Sequence, residues 1–164
     1  MTKIGLLSDT HCYVHPRIHE LFSDCDEIWH AGDIGDVATA EELNSIRPLR
    51  AVYGNIDGNK LRLSYPESLV FNCESVKVYI THIGGYPERY AKPAKDIIKI
   101  EAPNLFISGH SHILKVMYDQ KHQLLHINPG AAGKSGFHQV ITLVKFVIDG
   151  VNIKDLEVIE LNRY

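Results

Sequence analysis

Five short apolar runs in this 164-residue chain each stop abruptly at residues able to bind a metal ion. Residues 4–7 give way to Ser8-Asp9-Thr10-His11, and Ile28-Trp29 leads into His30-Ala31-Gly32-Asp33. Ala51-Val52-Tyr53 ends at Gly54-Asn55, residues 76–80 at Thr81-His82, and residues 105–108 at Gly109-His110-Ser111-His112. Runs this short and this apolar suit buried strands. Asp9 and His11 share one side of an extended chain, and a bend after Ser8 would aim both at one point. Each ending taken singly is an ordinary turn. Five in order describe a sheet whose strand ends collect carboxylate, imidazole and amide groups.

The rest of the pattern says how such strands are connected. Ile18, Leu21 and Phe22 predict a helix of about three turns over residues 15–25. Val37, Ala40, Leu43 and Ile46 predict another, ended by Pro48 before a strand over residues 49–53. Gly54-Asn55-Ile56-Asp57-Gly58 then turns the chain. Alternating strand and helix argues for a largely parallel sheet with ligands gathered at the carboxyl ends of its strands. From Ser68 onward antiparallel signals dominate: strands at 69–71 and 76–81, at 113–119 and 123–128, and at 140–148 and 151–159 about Asp149-Gly150. Gly84-Gly85-Tyr86-Pro87 breaks regular structure, and residues 93–100 suit a short helix. The expected architecture is α/β, a four-layer αββα sandwich of two mixed sheets flanked by helices, in one domain over residues 1–164.

Composition narrows the function classes. Lys plus Arg is 17 against Asp plus Glu at 20, a formal net charge of -3, so charge gives no indication of nucleic-acid binding. Cys12, Cys25 and Cys73 form no C-x-x-C pair, which suggests neither a disulfide framework nor a zinc ribbon. The apolar run at the amino terminus is too short for a signal peptide, and no stretch approaches membrane-spanning length. A cytoplasmic chain with no membrane contact is expected. The apolar, strand-rich second half is suited to a homo-oligomer surface.

Asp9, His11, Asp33, Asn55, His82, His110 and His112 are seven candidate ligands, too many for one ion and suited to two divalent ions sharing a carboxylate, for which Asp33 is the choice. Mixed imidazole and carboxylate donors favour manganese, iron, zinc or nickel over calcium. D-x-H, G-D, G-N, T-H and G-H-x-H in that order resemble the calcineurin-like metallophosphoesterases, with a family-like Asn128-Pro129-Gly130 turn beyond them. The short length is similar to the small bacterial and archaeal phosphodiesterase branch, to which the scaffold subunit of the retromer coat is also similar. The resemblance implies that Asp9, His11 and His112 hold one ion, that Asn55, His82 and His110 hold the other, and that Asp33 bridges. It implies a water between two ions, manganese first among the candidates, as nucleophile on a small-molecule or exposed phosphodiester, with Asp33, Asn55 and His82 at the catalytic positions. A non-catalytic scaffold of the same fold and a phosphomonoesterase or nucleotidase are the alternatives. Retention of all seven donors favours the enzyme.

Two positions depart from the family pattern. Ile56 stands where many members have histidine after Gly-Asn, which removes a helper for phosphate binding or leaving-group protonation. Tyr86 and His138 are candidate substitutes. Thr81-His82-Ile83-Gly84 replaces the branch's Thr-His-Gly-His, so a second histidine is missing. Of the remaining residues, His30 is expected to be packed and hydrogen-bonded, and His126 to support the ligands or simply to pack. His15, His19 and His122 are expected at the surface, Asp57 to hold the Asn55 loop, and Cys12 to be a bystander thiol. Tyr13, Tyr86 and Phe137 are expected to shape substrate selectivity.

Overall fold

The computed structural model describes residues 1–164. In chain order the elements are β1 (Thr2–Leu7), α1 (Ile18–Leu21), β2 (Glu27–His30), α2 (Val37–Ile46), β3 (Leu49–Ala51), α3 (Asn59–Ser64), β4 (Ser68–Cys73) and β5 (Val76–Thr81). Then come β6 (Gly85–Tyr86), β7 (Arg89–Tyr90), α4 (Lys92–Glu101), β8 (Leu105–Ile107), β9 (Leu114–Asp119), β10 (Leu124–Pro129), β11 (Val140–Asp149) and β12 (Asn152–Asn162).

The strands form two five-stranded mixed sheets, ordered β12-β11-β1-β2-β3 and β4-β5-β8-β10-β9, with β6-β7 a separate small hairpin. Each large sheet has three adjacent parallel strands, β1-β2-β3 in one and β5-β8-β10 in the other. Antiparallel partners complete them: β11 and β12 in the first, β4 and β9 in the second. Parallel pairing puts the carboxyl ends of neighbouring strands on the same side, and all five ligand-bearing loops follow such strands, β1, β2, β3, β5 and β8.

Alternation sorts the side chains into layers. Ile4 and Leu6 of β1 join Trp29, Val78, Ile80, Ile107, Ile127 and Phe146 in a fully buried core between the sheets. Leu7 and Ile28 point the other way, toward Phe22 and Leu43 beneath α1 and α2. Tyr79, Phe106 and Leu124 on the outer face of the second sheet meet Ala94 and Ile98 of α4. Helix, sheet, sheet, helix is the four-layer order expected from the sequence.

Three local expectations need correction. The first helix is four residues long instead of three turns. Lys145 Nζ of β11 donates to the Leu21 carbonyl at 2.8 Å, and Asp26 turns back onto β1 by bonding the Lys3 amide at 2.7 Å, so the chain leaves the helix early. A helix that the periodicity did not signal, α3, follows the 54–58 turn and buries only Leu61, too little for an apolar stripe. Residues 84–87 are partly regular, since Gly85 and Tyr86 pair with Tyr90 and Arg89.

Candidate metal centre

The ligand loops leave their strands by an unusual backbone route. Asp9, His11, Asp33, His110 and His112 all have positive φ, between 45° and 71°. An L-residue in this left-handed region costs roughly 1 kcal/mol or more, although Asp and His tolerate it better than branched residues. Such strain gathers where function needs a particular direction. Here it folds each side chain back over the strand ends, toward the others.

The result is two adjoining donor groups: Asp9, His11 and His112, and Asp33, His82 and His110, each with its donor atoms within 4.8 Å of one another. Asn55 adjoins the second group, its Oδ1 3.1 Å from His110 Nδ1. The groups meet at the carboxylates. Asp33 Oδ2 lies 3.4 Å from His11 Nε2 and 3.3 Å from His82 Nε2, while Asp9 Oδ1 lies 3.2 Å from His112 Nε2 and 3.8 Å from His82 Nε2. All seven sequence candidates are therefore brought together. Asp9, Asp33 and His82 form the buried floor, and Asn55 and His110 the exposed rim.

Hydrogen bonds hold one face of each buried donor and leave the other free. Asp9 Oδ2 accepts from Ser8 Oγ at 2.6 Å and from the His110 amide at 3.1 Å. Asp33 Oδ1 accepts from the Ile56 amide at 3.1 Å, so Ile56 helps to position Asp33 through its backbone. His82 Nδ1 donates to the Ala31 carbonyl at 2.7 Å, which leaves the lone pair on Nε2. Asp9 Oδ1, His11 Nε2 and His82 Nε2 are buried with no hydrogen-bond partner. Three orphaned acceptor-type atoms around one space, with no thiolate among them, fit divalent transition-metal cations.

The electrostatics match. Burial works to raise the Asp9 pKa, yet His11 and His112 hold it well below the carboxylate range. Asp33 is likewise lowered, with burial opposed by His82. His11 is raised chiefly by Asp9, and His82 is raised by Asp33 against its own burial. The pocket is organised around anionic carboxylates that require compensating positive charge.

Supporting residues behave largely as expected. His30 is fully buried, with Nδ1 accepting from the Gly32 amide at 3.0 Å and Nε2 donating to Thr10 Oγ1 at 2.9 Å; burial pushes its pKa down to about 4. Asp57 does more than hold its own loop. It accepts from Gly54 at 2.8 Å and also from Ile34 and Gly35, tying the Asn55 turn to the Asp33 turn. Gly54 lies against Asp33, where a Cβ would collide with the carboxylate and its amide. Cys12 is exposed and outside both donor groups.

His122 departs from its surface expectation. Its side chain is 15% exposed, with Nδ1 2.9 Å from Asp119 Oδ2, which also accepts from Tyr90 at 2.6 Å. Of the two stand-ins for the missing histidine, His138 lies beside His112 with ring centroids 5.5 Å apart, whereas Tyr86 lines a side cavity. Sequence reasoning missed Arg62. It donates to the carbonyls of Asp57 and Asn55, stacks 4.6 Å over Tyr53, and with Asn55 and His82 lines a cavity of about 390 Å³. No signal pointed to Arg62, because α3 itself was not foreseen.

Residues 2–150 match the family model for the calcineurin-like phosphoesterase superfamily domain. A probable metallophosphoesterase of Methanothermobacter thermautotrophicus is 28% identical over 133 residues, 78% of this chain and 76% of that protein. Among solved structures, an archaeal phosphodiesterase superposes with a TM-score of 0.75 at 22% identity, over 97% of this chain and 99% of that one. Vps29 from Entamoeba histolytica in complex with zinc superposes at 0.74 with 14% identity, over 99% of each chain. At these identities the two structures show a shared fold.

Proposed function

This chain belongs to the calcineurin-like phosphoesterase superfamily, and from that premise we propose that it hydrolyses phosphodiesters with two divalent cations, manganese first and zinc, iron or nickel as alternatives. We assign Asp9, His11 and His112 to one cation, Asn55, His82 and His110 to the other, and Asp33 to both. The observation that carries this reading is the position of Asp33 Oδ2, within 3.4 Å of two imidazole nitrogens that have no other partner. When bound, the cations supply Lewis acidity toward the phosphoryl oxygens and lower the pKa of the attacking water.

The protein's own groups do the positioning. Ser8 and the His110 amide hold Asp9, the Ile56 amide holds Asp33, and the Ala31 carbonyl fixes the His82 tautomer. Arg62, at the cavity beside Asn55 and His82, offers a guanidinium to a phosphoryl oxygen. This cavity is lined by Asn55 and His82 themselves, and a smaller one is lined by Ser111, between His110 and His112 in sequence; two such cavities suit a phosphorus atom carrying two substituents. With Ile56 in place of a protonating side chain, diesters with good leaving groups should be favoured over monoesters.

Structural likeness to Vps29 keeps a scaffold role as the second reading. A scaffold has no need of seven donors, five of them on a strained, left-handed backbone. The test is hydrolysis of bis(p-nitrophenyl) phosphate and of p-nitrophenyl phosphate by metal-stripped protein, before and after separate additions of manganese, zinc, nickel and magnesium. Metal-dependent turnover with the diester preferred supports the enzyme. Folded protein that takes up metal yet turns over neither ester would establish the scaffold reading instead.

A further inference from the structure

The smaller cavity, about 180 Å³, is lined by Tyr86, Ser111, Ile113, Lys115, His126 and Asn128. Two of its lining residues adjoin the donor loop: Ser111 sits in sequence between His110 and His112, and Asn128 donates to the carbonyl of Gly109, the residue before His110. His126 is fully buried there. Its Nδ1 donates to the Phe106 carbonyl at 3.2 Å, which leaves a lone pair on Nε2, and that atom has no partner. A buried acceptor left unsatisfied costs about 1–3 kcal/mol, a penalty that a ligand donor would remove.

The other polar groups complement it. Ser111 Oγ accepts from the Ile113 amide and from Asn128 Nδ2, both at 3.1 Å, so its own O–H proton is free to donate. Asn128 is spent, because its Nδ2 also donates to the Gly109 carbonyl and its Oδ1 accepts from the Gly130 amide. Lys115 brings an ammonium group 4.8 Å from the centre of the Tyr86 ring. The cavity thus presents one acceptor, Nε2, and two donors, Ser111 and Lys115. An anion would satisfy the donors and face the Nε2 lone pair unfavourably, and an apolar group would satisfy none of them. A hydroxyl both donates and accepts.

We propose that this cavity is a substrate subsite for a hydroxyl-bearing substituent of the phosphodiester, a pentose or glycerol unit, whose O–H donates to His126 Nε2 and accepts from Ser111 or Lys115. At about 180 Å³ it suits a small ring or polyol and falls below the roughly 300–1,000 Å³ of sites for larger ligands. The assignment rests on the phosphodiesterase reading for its substrate and on cavity geometry for its chemistry.

Two measurements test it. Ring-¹⁵N histidine spectra are recorded while glycerol phosphate or ethyl phosphate is titrated into the protein. The His126 Nε2 resonance should shift saturably with the first and stay fixed with the second. In the manganese-loaded protein, kcat/KM is compared for the p-nitrophenyl diesters of glycerol phosphate and of ethyl phosphate, which release the same chromophore. The glycerol ester should be preferred about tenfold or more, and His126→Phe should bring the ratio near one. Lys115→Met, at a half-exposed position, should lower the ratio several-fold and carries the test if His126→Phe does not fold. An unmoved His126 resonance, equal rates in the wild type, or a preference that survives the substitutions overturns the subsite while leaving the phosphodiesterase reading intact. A responsive His126 in protein that turns over neither ester overturns the phosphodiesterase reading and leaves the polyol pocket standing.

Discussion

Replacing Asp33 by asparagine separates the charge of the shared carboxylate from its shape. The amide keeps an oxygen to accept from the Ile56 amide, now at 3.1 Å. It replaces Oδ2, 3.4 Å and 3.3 Å from His11 and His82 Nε2, with an NH₂ group that donates to those lone pairs. The metal-free fold should therefore survive, with a melting temperature within a few degrees of wild type. What is lost is one negative charge facing both donor groups. Removing a single electrostatic contributor of this kind costs catalysis on the order of 10²–10³, or about 3–4 kcal/mol in the barrier. Asp33→Asn should accordingly lose at least two orders of magnitude in diester turnover and fall from about two bound metals per chain to one or fewer. Elemental analysis after equilibration with manganese, paired with hydrolysis of bis(p-nitrophenyl) phosphate, measures both. Wild-type turnover with two metals retained would refute the shared role of Asp33.

Ile56→His should raise turnover of diesters with poor leaving groups more than of nitrophenyl esters, and an unchanged ratio would show that Ile56 does not limit the rate. Gly54→Ala should lower metal affinity and destabilise the protein by about 1–3 kcal/mol, because the new methyl meets Asp33, and calorimetry with metal titration reads both effects. Burial lowers the His126 pKa from 6.5 to about 4, so the unfolded chain takes up this proton first as pH falls. The associated stability is fully present above pH 6.5 and lost progressively toward pH 4, about 3 kcal/mol at 1.36 kcal/mol per unit. Between pH 7 and 4, metal-free wild type should lose that much more stability in denaturant titrations than His126→Phe, and parallel losses would contradict the assignment.

The parts of this molecule that were legible in the sequence are those written in short-range patterns. Apolar runs ending in ligand residues gave strands and site together, because parallel strands have their carboxyl ends on the same side. All seven candidate donors accordingly meet at one place. What was illegible depends on distant partners. The early end of α1 depends on Lys145, more than a hundred residues away, and nothing near Leu21 announces it. Arg62 lies on a helix held by one buried leucine, too faint a period to see. His122 reads as a turn residue until Asp119 and Tyr90 fold over it. The left-handed backbone at five ligand positions has no sequence signature beyond a tolerance of Asp and His for it.

The central claim is a dinuclear centre built by these seven side chains, and anomalous diffraction from crystals equilibrated with manganese tests it most directly. The account predicts two peaks on the order of 3.5–4 Å apart. One should be ligated by Asp9, His11 and His112, the other by Asn55, His82 and His110, with Asp33 contacting both. A single peak, two peaks without a shared Asp33, or manganese bound elsewhere would contradict it.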